Sequence, residues 1–322
     1  MQALDKLANA ELIDLNNDYL VAVSGGRDSM VLLHWLVDLG CKGLTACHFN
    51  HGLRDEDSDG DAELVRSTAE KLGLGCHQIK ADSRAFAEQS KQSLETAARQ
   101  QRYEFFAEVA KDIKCHRLIL AHHANDQNET ILMNLFRGSG LKGLAGIQQL
   151  SNRDIDGVSL EIIRPLLKVP RADIDSYQQA HEIAYREDAT NSELIAVRNR
   201  VRHELLPLAE DIFSRDSIAT FQRLSEIASM ESSAAELRSR NWLVEHQNQA
   251  GELPVNLLRS LPTADLHHVI HRWLAQQQVS NRGLKEVKQV IKMIQSDSKP
   301  AKVNLPGEKY ARRRAGVVFI ER

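Results

Sequence analysis

The stretch "VAVSGGRDSM", Val21–Met30, runs without a break into "VLLHWLVDLG". An apolar run leaves through Ser-Gly-Gly, adds Arg27 and Asp28, and then takes up the apolar spacing of a helix. The pattern reads strand, glycine turn, helix. Gly25 and Gly26 open backbone conformations closed to other residues and let a ligand approach the main chain. The first helical turn offers unpaired N–H groups and the positive end of a dipole, which suit an anion. With the hydroxyls of Ser24 and Ser29, the expected guest is a phosphate-sized anion held by Ser24, Gly25, Gly26, Arg27, Asp28 and Ser29. A lone Gly-Gly would favour the competing reading, a tight turn without a ligand.

Two familiar phosphate loops do not fit, because there is neither GxxxxGK[ST] nor a GxGxxG after the strand. The segment instead matches SGGxDS and resembles the PP-loop of the ATP pyrophosphatases. Those enzymes bind ATP, cleave it between the α and β phosphates, and adenylate a substrate. The resemblance implies ATP as a substrate here.

At 322 residues the chain is longer than one usual domain. Its 42% hydrophobic and 26% charged residues suit a globular protein. The opening "MQALDKLANAELIDLNNDY" carries acids and lacks an apolar core, so no secretory signal is visible. No apolar run approaches the ~20 residues that span a bilayer, so no membrane partner is expected. Cys41, Cys47, Cys76 and Cys115 are scattered without a CxxC, which argues against a disulfide framework, zinc or an iron–sulfur cluster. A cytoplasmic location is expected. The net charge of −3 means that any contact with RNA must use local basic patches.

The first two-thirds of the chain alternate strand-like and helix-like segments. "YLVAV", "GLTACHFN", "GCHQIKA", "RLILA" and "VSLEIIRPLL" read as strands, with helical patterns between them. This predicts an α/β fold, a doubly wound and mostly parallel sheet. Ligands in such sheets sit at the carboxyl ends of strands, and "SGGRDS", "FNHGLR" and "AHHANDQNET" all begin there. The acidic run "RDEDSDGD" is expected to be a mobile loop. Residues 1–215 are expected to form the catalytic domain, 216–245 a linker helix, and 246–322 a small α+β domain ending in strand–turn–strand.

In "AHHANDQNET", Asp126 and Glu129 are three apart and share a helix face, with His122 four before Asp126. Acids in a first turn also simply complement the helix dipole. Beside a triphosphate they would recruit Mg²⁺ or hold a cationic substrate. Zinc is not expected, because HExxH is absent and adjacent histidines point apart on a helix.

The ordered segments "SGGRDS", "FNHGLR", "ETAARQQRYEFF", "AHHANDQNETILMNLFRGSGLKGLAGI", "IIRPLL" and "DATNSELIAVRNRVRHELLP" resemble the tRNA(Ile)-lysidine synthases, a family of PP-loop enzymes. The resemblance covers roughly residues 19 to 208, and is weaker in "LPGEKYARRRAGVVFIE". Asn125 stands where an aspartate is common, and the chain looks short for the family, with no obvious third domain. The resemblance implies ligation of free L-lysine to C2 of the wobble cytidine (position 34) in isoleucine tRNA with a CAU anticodon. ATP adenylates the C2 oxygen, releasing pyrophosphate, and the lysine amine then expels AMP. It implies Mg²⁺ beside Asp28 and Asp126, with Asp126, Glu129, His122 and His51 around lysine or metal. It implies RNA or phosphate contact for Arg99, Arg102, Arg198 and Arg202; a second patch, Lys309 with Arg312, Arg313 and Arg314, is expected to hold tRNA. A homodimer is compatible with the sequence. The rival readings are a PP-loop tRNA thiolase and a nucleotide-sensing module without chemistry.

Overall fold

The computed structural model describes residues 4, 8–52, 56–186, 193–214, 216–296 and 301–321, with the backbone alone described at 56–58 and 193–196. Within these, the chain divides into two compact units, Met1–Glu226 and Ile227–Arg322. The boundary falls inside a 30-residue helix, Ser217–His246.

The first unit is built on six strands: β1 (Asp18–Ala22), β2 (Gly43–Asn50), β3 (Gly75–Lys80), β4 (Arg117–Ile119), β5 (Leu150–Ile155) and β6 (Val158–Ile163). Their order is β3-β2-β1-β4-β6-β5, parallel except for β5. The first unit is thus the doubly wound sheet that the alternation predicts. β1 shows why its sequence is apolar throughout. Tyr19 and Val21 join the core on one face and Leu20 the core on the other, so both sides of the strand are buried. The helix after β1, α1 (Arg27–Asp38), fills the first face with Leu32, Trp35 and Leu36. It is joined there by α2 (Glu56–Lys71) and, further along, by Ile174 and Tyr177. Between β3 and β4 run α3 (Ser83–Ser90) and α4 (Leu94–Asp112), and α4 lays Tyr103, Phe105 and Phe106 on the opposite face.

Two sequence expectations need correction in this unit. The acidic run is largely not a loop, because α2 begins at Glu56 and continues through Asp61; Arg54 and Asp55 lie outside the described residues. Val65 and Ala69, four residues apart, put an apolar face of this helix into the core, which holds the segment helical. The strand β5 is an addition to those read from the sequence. It forms a hairpin with β6 through Asp156 and Gly157, both at positive φ (47° and 83°). Asp-Gly between two alternating runs is the sequence signal for such a turn.

After β4 come α5 (Ala124–Phe136), α6 (Leu141–Leu144) and, past β6, α7 (Arg171–Ala180). Then α8 (Glu193–Arg200) passes into a π-helical turn, Val201–Leu205, before α9 (Leu206–Phe213).

The second unit has a core of its own, around Trp273, Leu274, Val290 and Ile294. Its sheet has the order β7-β10-β9-β8, with β7 (Leu253–Pro254), β8 (Lys302–Leu305), β9 (Lys309–Arg314) and β10 (Val317–Glu321), paired antiparallel. The expected strand–turn–strand end is therefore three strands, with β7 added from a distant segment. Asn304 and the arginines make the middle of this stretch resemble turn rather than ladder in sequence.

Candidate active site

In the strand order, β1 has β2 on one side and β4 on the other, so the chain reverses its winding between β1 and β4. The crevice beyond the carboxyl ends of these strands is where such sheets bind ligands. The glycine loop leaves β1 into this crevice, and the helix α5 starts just after β4.

The loop is tightly wired. Ser24 N–H donates to Ser29 Oγ at 3.0 Å, and Ser29 Oγ donates to Gly26 O at 2.8 Å. Gly25 holds φ at +88°, and a Cβ there would lie 3.2 Å from Asp61 Cβ. Any other residue would crowd Asp61 and would take the left-handed backbone only at a cost. Arg186 N–H donates to Gly25 O at 3.0 Å, while its guanidinium pairs with Asp61 at 2.9 Å. Arg27 is engaged within the protein. It pairs with Asp175 at 2.5 Å and donates to the Tyr185 hydroxyl at 2.8 Å. Its role in this structure is to fasten α7 and the segment after it to the loop.

The second wall is the start of α5. His123 caps this helix: its Nδ1 accepts from Asn125 N–H at 3.2 Å, and its own backbone N–H donates to Asp126 Oδ2 at 3.1 Å. Its Nε2 then lies 3.5 Å from both Asp28 Oδ2 and Asp126 Oδ2. Two acids about a hundred positions apart in sequence thus meet at one buried imidazole. Burial opposes charge on His123, but Asp28 and then Asp126 outweigh it and raise its pKa. Burial likewise opposes charge on Asp28, yet His123, with Arg171 and Arg202, holds its carboxyl below the usual range. Helical spacing in the sequence points to His122 and misses His123. The available signal was the place of His123 immediately before the helix, three residues from an acid.

Glu129 is fully buried and clamped by two arginines, Arg198 Nε at 2.8 Å and Arg202 Nε at 2.5 Å. Arg202 also reaches Asp126 Oδ1 at 3.5 Å. Asn125 accepts from Arg171 N–H at 3.0 Å and so caps α7. Arg198 and Arg202, four residues apart, thus reach the same carboxylate, Arg198 from the end of α8 and Arg202 from the π-helical turn that follows it.

On α4, Arg99 lies over the Tyr103 ring (5.1 Å), and Arg153 from β5 lies over it as well (4.0 Å). Arg102 is partly buried, and its Nε has no hydrogen-bond partner among the described residues. Burial, then Arg99, lowers its pKa. His51 lies just past β2, with Nδ1 3.3 Å from Ser83 Oγ.

A phosphate-shaped loop at the switch point of a doubly wound sheet, faced by two acids, defines a PP-loop nucleotide-binding domain. Residues 2–209 match the PP-loop domain family, and residues 253–319 match the TilS substrate binding domain. A tRNA(Ile)-lysidine synthase of Chlorobaculum tepidum is 33% identical over 284 residues, covering 86% of this chain and 83% of that protein. The bifunctional protein TilS/HprT of Listeria monocytogenes is 34% identical, covering 94% of this chain and 47% of its own length. A tRNA(Ile)-lysidine synthase of Clostridium tetani is 37% identical, covering 69% and 46% respectively. The chain belongs to the tRNA(Ile)-lysidine synthase family of PP-loop proteins. It spans about half the length of the Listeria and Clostridium relatives. Among solved structures, a U34-tRNA thiolase, NcsA, from Methanococcus maripaludis aligns with a TM-score of 0.51 at 18% identity. It covers 69% of this chain and 76% of its own, a likeness of fold alone.

Proposed function

We propose that this protein ligates free L-lysine to C2 of the wobble cytidine of a CAU-anticodon isoleucine tRNA, through an adenylated tRNA and with release of pyrophosphate and AMP. The observation that carries the reading is the meeting of Asp28 and Asp126 at His123 Nε2, directly beside the glycine loop. Phosphoryl chemistry between anions needs positioning and charge neutralisation more than covalent help. The loop from Ser24 to Ser29 supplies hydroxyls and backbone N–H groups for the phosphates. The neighbouring acids supply the opposite charge, for a metal ion or for the ammonium of lysine.

Mg²⁺ fits this arrangement. Asp28 Oδ1 is buried with no hydrogen-bond partner among the described residues, and Mg²⁺ typically takes one or two carboxylates together with phosphates and water. Asp28 and Asp126 would hold it, and it would neutralise charge on the phosphates. Glu129, held by Arg198 and Arg202, then serves to fix those arginines at the rim of the site.

The thiolase reading is less well supported. Burial pushes up the thiol pKa of Cys41, Cys47, Cys76 and Cys115, which makes each a poor nucleophile near neutral pH. A binding module without chemistry would not need the acids gathered against the loop. The decisive experiment is incubation with ATP, Mg²⁺, radiolabelled lysine and total tRNA. Label is expected in the CAU-anticodon isoleucine tRNA, with AMP release that depends on lysine. Lysine-independent AMP release, or label in no tRNA, would overturn the reading. Asp28→Asn is expected to lower tRNA-dependent pyrophosphate release at least ~10²-fold, the scale of a lost electrostatic contact at a reacting centre.

A further inference from the structure

Arg164 sits just past β6 and is only 6% exposed. Its Nε donates to His122 Nδ1 at 3.2 Å, and its Nη1 donates to Gln148 O at 2.7 Å and Ser151 Oγ at 3.0 Å. Among the described residues no carboxylate is paired with it. A guanidinium has no lone pair to offer and stays charged across the physiological range, so Nε is always the donor. His122 Nδ1 is therefore always the acceptor. In the neutral imidazole the proton then resides on Nε2. Protonating Nδ1 would set two N–H groups against each other. Burial acts in the same direction and pushes the His122 pKa down to about 4; Asp126 opposes this, while Arg164, Arg99 and Arg198 reinforce it.

We propose that Arg164 is a positioning residue that locks His122 as a neutral Nε2–H donor. His122 then serves the reaction by donating to a substrate oxygen that gains negative charge, phosphoryl or carbonyl, and not by accepting a proton. A neutral imidazole is an effective donor when its surroundings keep it from charging. The proton released by an attacking amine must leave through another group, because Nδ1 is occupied and Nε2 already carries hydrogen. This assignment of role rests on the ligase reading of the site; the tautomer itself does not.

Long-range ¹H–¹⁵N spectra of ¹⁵N-histidine-labelled protein read the tautomer directly, with His122→Gln assigning the signal. His122 is expected to show a protonated Nε2 and a bare Nδ1 down to about pH 5. An Nδ1–H tautomer, or an imidazolium above about pH 5.5, would overturn the proposal. Arg164→Lys keeps the charge but loses the Nε–H. It is expected to release the tautomer lock and lower kcat by roughly 10-fold, as loss of an orienting partner does for metal-binding histidines, with KM for ATP unchanged. Retention of both the lock and kcat in that variant would also overturn it. If Arg164→Lys does not fold, the wild-type spectrum decides alone. A chain that labels no tRNA while showing the Nε2–H tautomer would sink the ligase reading and leave the lock standing.

Discussion

At the scale of single residues, the acids at the head of α5 differ in what surrounds them, and this separates their roles. Glu129 has no exposed surface and both its oxygens are bonded to guanidinium groups, whereas the Asp126 side chain is 19% exposed and faces His123. Breaking one side of a buried ion pair leaves uncompensated charge, at about 3–5 kcal/mol in a dry interior. Arg198 and Arg202 are reached by water, with 39% and 26% of their side chains exposed, so the cost here is smaller. Glu129→Gln is therefore expected to lower stability by about 2 kcal/mol in urea unfolding, together with activity. Asp126→Asn should leave the urea midpoint nearly unchanged and depress turnover. Equal unfolding midpoints for the wild type and Glu129→Gln would mean that the arginine clamp carries little of the fold. A Glu129→Gln protein that is stable but needs far more lysine would return Glu129 to the lysine-binding role that its motif implies.

At the scale of elements, the glycine loop and the segments that hold it act as one unit. Any side chain on Gly25 would meet Asp61 of α2, the Gly25 carbonyl accepts a hydrogen bond from Arg186, and Arg27 reaches Asp175 of α7 and Tyr185. Gly25→Ala asks for a left-handed backbone that costs about 1–2 kcal/mol and crowds Asp61. The expected outcome is a folded protein that no longer binds ATP, measured by calorimetry; unchanged affinity would show that the loop can re-form around a methyl group. The loop and the helix after it were legible in sequence because strand period, glycine and helix period succeed one another within a few residues. The parallel sheet and the gathering of the motifs at its strand ends were legible from the same local signals. The clamp of Glu129 was not legible, since its partners lie 69 and 73 residues away in the chain. Nor was the bond from Arg164 to His122, 42 residues apart, or the role of His123, whose neighbour carries the same side chain. Hairpin β5–β6 escaped because its outer strand, "LSNRDI", is half polar, as an edge strand with one wet face can be.

At the scale of the whole molecule, a chain with net charge −3 must concentrate its positive charge if it is to grip tRNA as proposed. In the second unit the sequence offers Lys309, Arg312, Arg313 and Arg314, all on β9. Within that unit most of these are already engaged. Lys309 donates to Gln277 O and Gln278 O at 2.7 and 2.8 Å, closing the end of the helix Thr263–Gln276. Arg312 pairs with Glu321 at 2.5 Å, and Arg313 donates to Ser296 O. Arg314 is exposed, at the end of the strand. Each phosphate contact contributes about 0.9 to the slope of log affinity against log salt on duplex. Four free cations would give a slope contribution of about 4, but a pair such as Arg312–Glu321 must be broken before its guanidinium can serve. The expectation is that Arg314→Ala alone flattens the salt slope of tRNA binding by about 1, and that Arg312→Ala/Arg313→Ala/Arg314→Ala adds little to this while lowering the thermal midpoint of the second unit. ATP affinity should be the same in all these variants, because the glycine loop belongs to the first unit. A triple variant that flattens the slope by about 3 would show that Arg312 and Arg313 exchange their protein partners for phosphate on binding. An unchanged slope in every variant would leave β9 as a structural strand whose arginines serve only its own fold, and tRNA would have to be held elsewhere.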